Sequence, residues 1–309
     1  MKTPFGRRGS MQVDRGDLAF NGIVFLILFI LFLCIAYPLY FIVIASISDP
    51  LLVSTGGIIL FPRKVTLDAY RKVVEYREIW IGYRNTLFYT AAFTALSVFM
   101  VMTAGYGLSR RNVPFQKYII AYMTFTMFFS GGLIPTYLLM RNIHLEGNPI
   151  IIILMGCVSV YNIIIARTFL HSYVPEELFE AALIDGSDHL RYFLRIVLPL
   201  SPALIAVMVL FSAVAQWNQW FTALIYLRKQ SQMPLQLVLR NIIVNSQEML
   251  RQMEGVGVVQ DGGDKGQALL LVNSMKYAVI IVSALPVMCL YPFLQKYFIK
   301  GVMIGSIKG

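Results

Sequence analysis

The chain has 309 residues, of which 58% are hydrophobic and only 14% are charged, with a net charge of +10. A soluble domain of this length carries about a quarter charged residues, so a water-soluble enzyme with one large core is excluded and a polytopic membrane protein is indicated. The basic excess does not indicate nucleic acid, because no basic run is interleaved with aromatics. It flanks apolar segments instead, as expected beside anionic lipid headgroups.

In chain order, residues 1–19 are polar and basic and are read as a cytoplasmic N-terminus. The apolar run over 20–47 is too long for a cleaved signal and is expected to be a retained first transmembrane helix. Five further spans follow, over about 85–108, 118–139, 149–170, 197–223 and 274–297, ending in a cytoplasmic tail over 299–309. The expected fold is therefore an all-α membrane protein with six transmembrane helices. Arg110, Arg111 and Lys117 crowd the short second-to-third connection, Lys2, Arg7, Arg8 and Arg15 precede the first span, and Lys296, Lys300 and Lys308 lie at or after the sixth. All three groups fall on one side of a six-span chain, which places both termini and residues 172–196 in the cytoplasm. Residues 48–84 and 224–273 become outer loops, the second with a Gly/Asp-rich piece over 255–266.

Cys34, Cys157 and Cys289 lie far apart inside apolar runs and read as small hydrophobes, not ligands or disulfides. His144, His171 and His189 are scattered near loop ends and are expected to be solvated. No carboxylate lies mid-span, so an ion-coupled secondary carrier lacks the group that would hold its coupling ion. No Gly-x-x-x-x-Gly-Lys-Ser/Thr phosphate loop is present, so this chain is not expected to bind or hydrolyse ATP. No acidic or histidine cluster suggests an enzyme acting on lipid-linked sugars.

Between the fourth and fifth spans lies an amphipathic insert, 174–199. Pro175 suits the first position of a helix, and Glu176 and Glu177 complement its positive end. Leu178, Phe179, Ala182 and Leu183 form the expected apolar face, with Glu176 and Glu180 lying away from it. Asp185-Gly186 ends this helix, Ser187 is the expected cap of a second one, and Pro199 is expected to mark the turn into the fifth span. By physics alone this segment is either an interfacial amphipathic loop or a docking knob for a soluble partner.

The pattern Glu180-Ala181-Ala182, three residues, Gly186, nine residues, Ile196, one residue, Leu198-Pro199 resembles the signature loop of permease subunits of binding-protein-dependent ABC importers. Within them, Phe129-Ser130-Gly131-Gly132-Leu133-Ile134-Pro135 and the tail from Tyr291 to Gly309 resemble the maltose-permease-like subgroup that serves complex saccharides and oligosaccharides. The resemblance covers about residues 80–298, plus that tail. It implies a type I ABC importer permease fold with a cytoplasmic coupling helix, in the bacterial plasma membrane. It also implies a second homologous permease, a dimeric ATPase that holds ATP and magnesium, a solute-binding protein and an oligosaccharide substrate. On this view Glu180, Ala181, Ala182, Asp185, Gly186, Leu198 and Pro199 serve the ATPase contact, and this chain binds no cofactor. An importer of amino acids or peptides is the alternative.

A sugar path needs aromatic faces beside amide and hydroxyl groups. Gln216-Trp217-Asn218-Gln219-Trp220 is the densest such cluster, and Tyr122, Ser130, Tyr137 and Asn162 are further candidates. Each also has a plain reading, as an interfacial aromatic or as helix packing. Gly131-Gly132 with Pro135 is either an unwound hinge or a site of close helix packing.

Overall fold

The computed structural model describes residues 15–110, 112–254, 275–289 and 292. These residues form helices and connections, with no strand among them. Two helices are long and apolar enough to cross a membrane, and up to four spans result if each of two bent pairs counts as one.

Helix α1 (Arg15–Ser46) begins inside the segment expected to be a tail. Its apolar side chains are exposed along most of its length, and among the described residues it meets the rest of the chain from Tyr37 onward. There Tyr40 Oη donates to Leu60 O at 2.6 Å and Phe41 meets Tyr277 edge-on. Short helices α2 (Pro50–Ser54) and α3 (Asp68–Glu75) lead to α4 (Arg77–Ser109), which starts eight residues before the expected second span.

Helix α4 is the axis of the fold. Its buried residues recur every three or four positions, from Ile79 through Gly82, Thr86, Tyr89, Phe93, Ser97, Val101 and Gly105 to Ser109. That spacing keeps one stripe facing inward along the whole helix. Small residues at crossings let backbones approach: a Cβ on Gly105 would lie 2.7 Å from Ala166 Cβ, and one on Gly82 would lie 3.0 Å from Leu235 Cα. Polar residues of the stripe serve neighbours. Thr86 Oγ1 accepts from Leu235 N at 2.7 Å, satisfying an orphan amide at the start of a later helix, and Asn85 Nδ2 donates to Ser231 O and Met233 O.

The third expected span is broken. Helix α5 (Gln116–Phe128) and α6 (Leu133–Asn142) meet at 107°. Gly132 has φ +86° and ψ 173°, a conformation essentially restricted to glycine, and nothing lies within 4 Å of a Cβ placed there. The double glycine is thus an unwound hinge and not a packing contact. The fourth expected span divides likewise into α7 (Ile150–Leu154) and α8 (Val160–Tyr173), around Gly156 with φ +83°.

Helix α9 (Glu176–Ile184) precedes α10 (His189–Leu200), which contains a π-helical turn over Phe193–Val197. The turn into α11 (Pro202–Trp217) falls at Ser201, with a bend of 84°, and not at Pro199. Pro199 has no N–H to give and crowds the carbonyl one turn back, which fits a helix that widens just before it. Helix α12 (Phe221–Tyr226) follows.

The region 224–273, expected to be an outer loop, is helical in its first half. Helix α13 (Leu235–Glu254) buries Leu235, Leu237, Val238 and Leu239 against the bundle. Its sequence alternates these residues with Gln236, Arg240 and Asn241 at helical spacing, a pattern masked by the polar stretch after it. The glycine-rich piece 255–266 and the tail 299–309 lie outside the described residues, as does most of the sixth span beyond α14 (Met275–Cys289). Cys157 is buried as expected, whereas Cys34 and Cys289 are exposed on the chain's apolar surface.

Candidate functional site

Two constellations carry chemistry: a knob formed by α9 and α10, and a cleft where α11, α13 and α14 meet.

The knob is capped and packed at both helices. Helix α9 ends in a glycine cap, where Ser187 N donates to Ala182 O at 2.8 Å and Gly186 N to Leu183 O at 3.0 Å. Gly186 has φ +73°, the left-handed conformation this cap requires. The cap of α10 is Asp188, whose Oδ1 accepts from Arg191 N at 2.8 Å, and not Ser187. Pro175 caps α9 from outside, one residue before the expected position.

Phe179, Ala182, Tyr192, Phe193 and Val197 are buried and join Val101, Ile163 and Leu170 in one core. The face that packs is therefore narrower than expected, because Leu178 and Leu183 are exposed. Ala182 lies inside this core at 6% exposure, so its small size serves packing within the chain. The outward edge consists of Glu180, Ala181, Leu183, Ile184, Asp185 and Gly186, with Ile184 88% exposed. Leu198 is half-buried and Pro199 exposed, both in the last turn of α10, away from the outward edge of α9.

Sequence reading missed what locks the knob in place. Arg110, 9% exposed, lies over the rings of Tyr106 and Phe179 at 4.7 Å and of Tyr192 at 4.9 Å. Its Nη1 pairs with Glu176 Oε1 at 3.4 Å. Its Nε–H has no acceptor among the described residues, and the ring faces take that place. Around it the C-terminal carbonyls of α4 are satisfied by side chains of other elements. Arg167 Nε donates to Leu108 O at 3.0 Å, and Gln116 Nε2 to Leu108 O and Arg110 O. His171 Nδ1 lies 3.2 Å from Ser109 O, and His189 stacks on Phe179 at 4.6 Å, so neither imidazole is simply solvated. Cationic donors at a helix C-terminus also answer its negative dipole end.

The cleft has a volume of about 540 Å³, within the range of small-molecule sites. It brings together three sequence candidates, Trp217, Asn218 and Trp220, with Gln236 and Arg240 from α13. Trp217 is only 5% exposed, and its Nε1 donates to Ser283 O at 3.2 Å, so it also ties α11 to α14. Asn218 Nδ2 donates to Val214 O of its own helix at 2.9 Å. Trp220 lies beneath the Arg240 guanidinium at 5.3 Å.

The remaining candidates are elsewhere. Gln216 is buried and donates to Ile152 O at 3.2 Å, which makes it a strut between α11 and α7. Tyr137 stacks on Tyr226 and donates to Glu146 Oε1 at 2.9 Å. Asn162 lies in the first turn of α8 at 9% exposure, and Tyr122 and Ser130 are exposed on and just after α5.

No family model matches the chain. Individual relatives do. The polygalacturonan/rhamnogalacturonan transport system permease protein YtcP of Bacillus subtilis is 36% identical over 285 residues, covering 92% of this chain and 96% of that one. This chain belongs to the permease subunits of carbohydrate ABC transporters. The protein LplC of the same bacterium is 36% identical over 273 residues, covering 88% of this permease and 89% of its own length. The melibiose/raffinose/stachyose import permease MelC is 25% identical, covering 81% and 84%. Among solved structures, one chain of a bacterial ABC transporter that imports the acidic polysaccharide alginate superposes with a TM-score of 0.80 at 30% identity. It covers 96% of this permease and 100% of that chain.

Proposed function

We propose that this permease is one of two membrane subunits of an ATP-driven importer that moves oligosaccharides or polysaccharide fragments into the cytoplasm by alternating access. The carbohydrate class comes from the relatives, whose names specify polygalacturonan/rhamnogalacturonan and melibiose/raffinose/stachyose. Six spans are assigned to α1, α4, the α5–α6 pair, the α7–α8 pair, the α11–α12 segment and the segment beginning with α14. The termini and the knob face the cytoplasm, and a solute-binding protein docks on the opposite face. ATP and magnesium are held by a separate ATPase dimer. This chain supplies the moving part and no catalytic group.

The observation that supports the coupling role is the form of the knob. One side is locked to α4 through Arg110, while the other presents Glu180, Ala181, Ile184 and Gly186 outward. An exposed apolar tip such as Ile184, rimmed by carboxylates and a glycine cap, suits a cleft in a partner protein. A rigid knob transmits force where a flexible loop would absorb it. ATP binding would close the ATPase dimer, draw two such knobs together and open the sugar path outward.

The test is purification of the tagged chain from its native membrane, with Glu180→Lys in parallel. The expected result is recovery of a second permease and an ATPase with the native chain, and loss of the ATPase but not the second permease with the variant. Recovery of the chain alone, unchanged by the substitution, overturns the importer reading and favours autonomous transport.

A further inference from the structure

We propose that the cleft between α11, α13 and α14 reads a carboxylate on the transported saccharide, and that Arg240 is the group that reads it. This rests on the reading of the chain as a saccharide permease and narrows the substrate to acidic, uronate-bearing sugars.

Arg240 is half-buried on α13 and lines the cleft beside Trp220. Among the described residues the lining contains no carboxylate, and none of them makes an ion pair with Arg240. Its one hydrogen bond is weak, from Nη1 to Asn241 Oδ1 of the next residue at 3.4 Å. A guanidinium remains charged at any physiological pH, and a cation left without an anion in a largely apolar cleft is costly. Among the described residues, Arg110 has Glu176, Arg141 and Arg228 have Glu146, and Arg167 caps α4, whereas Arg63, Arg71, Arg77, Arg84, Arg191 and Arg195 make no ion pair but are exposed to solvent. Arg240 differs from these in lining the cleft, over an indole, with no partner among the described residues for its remaining N–H donors. A guanidinium has a planar fork of N–H donors that can take a carboxylate through two parallel hydrogen bonds.

The rest of the cleft suits a sugar ring. Trp220 offers an aromatic face for C–H groups, and the buried Trp217 forms part of the wall beside it. The Nδ2 of Asn218 is engaged with Val214 O, which leaves its carbonyl oxygen to accept from a hydroxyl. Ser283 Oγ donates to Ile280 O and so keeps its acceptor capacity. Gln236 adds an amide that can donate and accept. One fixed cation, two indoles and several neutral polar groups specify a monoanionic sugar unit.

The decisive experiment uses the whole importer, with its partner subunits and binding protein, reconstituted in phosphatidylcholine vesicles. Uptake of a digalacturonate is compared with uptake of the same disaccharide after reduction of its carboxyls to neutral alcohols. The comparison is made for the native chain, Arg240→Gln and Arg240→Lys. The native importer should prefer the acid. Arg240→Gln should lower acid uptake by about tenfold to a hundredfold, the scale of one charged hydrogen-bonded contact, and leave the neutral sugar unchanged. Arg240→Lys should keep part of the preference. Selection by the binding protein is common to all three, so the change in the acid-to-neutral ratio isolates Arg240.

An unchanged ratio overturns the proposal. So does a native importer that carries only the neutral sugar, although the saccharide reading then stands. Transport of no saccharide at all removes the underlying reading first. If both variants fail to assemble, Arg240 is a structural residue and the proposal falls. If the Arg240→Gln defect appears only after phosphatidylglycerol is added, the anion in the cleft is a lipid headgroup and the proposal falls likewise.

Discussion

Arg110 at the end of α4 and Phe179 in the middle of α9 form the joint between membrane bundle and knob, with the guanidinium 4.7 Å from the ring centroid. The two residues are far apart in sequence, and the contact sets the angle at which the knob leaves the bundle. Tyr106 and Tyr192 close the cage on the remaining sides, and Glu176 balances the charge. The arrangement couples three elements through one cation, so displacement of the knob must either carry α4 with it or break the cage.

Replacing Arg110 with Met keeps most of the packing stem and removes the charge. A desolvated cation–π contact contributes up to about 2 kcal/mol, and the cage holds three ring faces that share one cation. The variant is expected to lose about 2 kcal/mol of stability, seen in detergent as a lower midpoint of thermal unfolding. It is also expected to expose the knob to trypsin, with faster cleavage at Arg191 and Arg195 than in the native chain. Arg110→Lys should fall between the two, because an ammonium cannot face three rings with a flat surface. Native-like proteolysis of Arg110→Met would show that the cage does not hold the knob.

The two adjacent glycines between α5 and α6 should respond unequally to the same change. Gly132 has φ +86°, so a methyl there is strained however much space surrounds it, and Gly132→Ala is expected to cost about 1–3 kcal/mol. Gly131 does not share that backbone conformation, and a Cβ there would meet only Pro135 Cβ at 4.0 Å. Gly131→Ala should therefore change stability by less than about 0.5 kcal/mol. Chemical or thermal denaturation of both variants in one detergent separates them. Equal losses would mean that the 107° bend does not depend on the Gly132 backbone.

The knob and the hinge differ in how far the sequence revealed them, and the difference is physical. The knob was legible because helix starts, a glycine stop and the spacing from Glu180 to Pro199 are local signals. The break at Gly131-Gly132 was visible as an alternative but not as a choice, since composition cannot separate a glycine used for positive φ from one used for close packing. Hydropathy over 149–170 and 197–223 read each stretch as one continuous span, because it sums transfer free energy and is blind to Gly156 and Ser201 as breaks. Arg110 and Arg240 were hidden for another reason. A lone arginine beside an apolar run reads as a topology signal or loop charge, and only the fold brings Tyr106, Phe179 and Tyr192 around one, and Trp220 beneath the other. Gln216 misled in the opposite direction: its neighbours Trp217 and Asn218 reach the cleft, but a 100° step around the helix turns Gln216 toward Ile152.

The connection between α6 and α7 supplies a pH-dependent contribution to stability. Glu146 accepts from Arg228 Nη2 at 2.5 Å and from Tyr137 Oη at 2.9 Å, with Arg141 Nε at 3.9 Å. These partners, Arg228 first and Tyr137 second, hold its carboxyl below the usual carboxylate range. A depressed value in the folded chain means that protonation is easier once the chain unfolds. The stabilisation is therefore fully present above the ordinary carboxylate value of about 4.3 and is lost as pH falls through the lower value of the folded state. The same carboxylate joins this connection to Arg228 just after α12, and Gly147 N donates to Tyr226 O at the end of α12 at 2.9 Å. The native permease should lose thermal stability between about pH 5 and pH 3 more steeply than Glu146→Gln, which should already be less stable at pH 7. High salt should narrow the gap at neutral pH, because Arg228 and Arg141 are exposed and their contribution is screened. Parallel stability profiles for the two proteins across that acid range would show that the Glu146 network contributes nothing to the folded state.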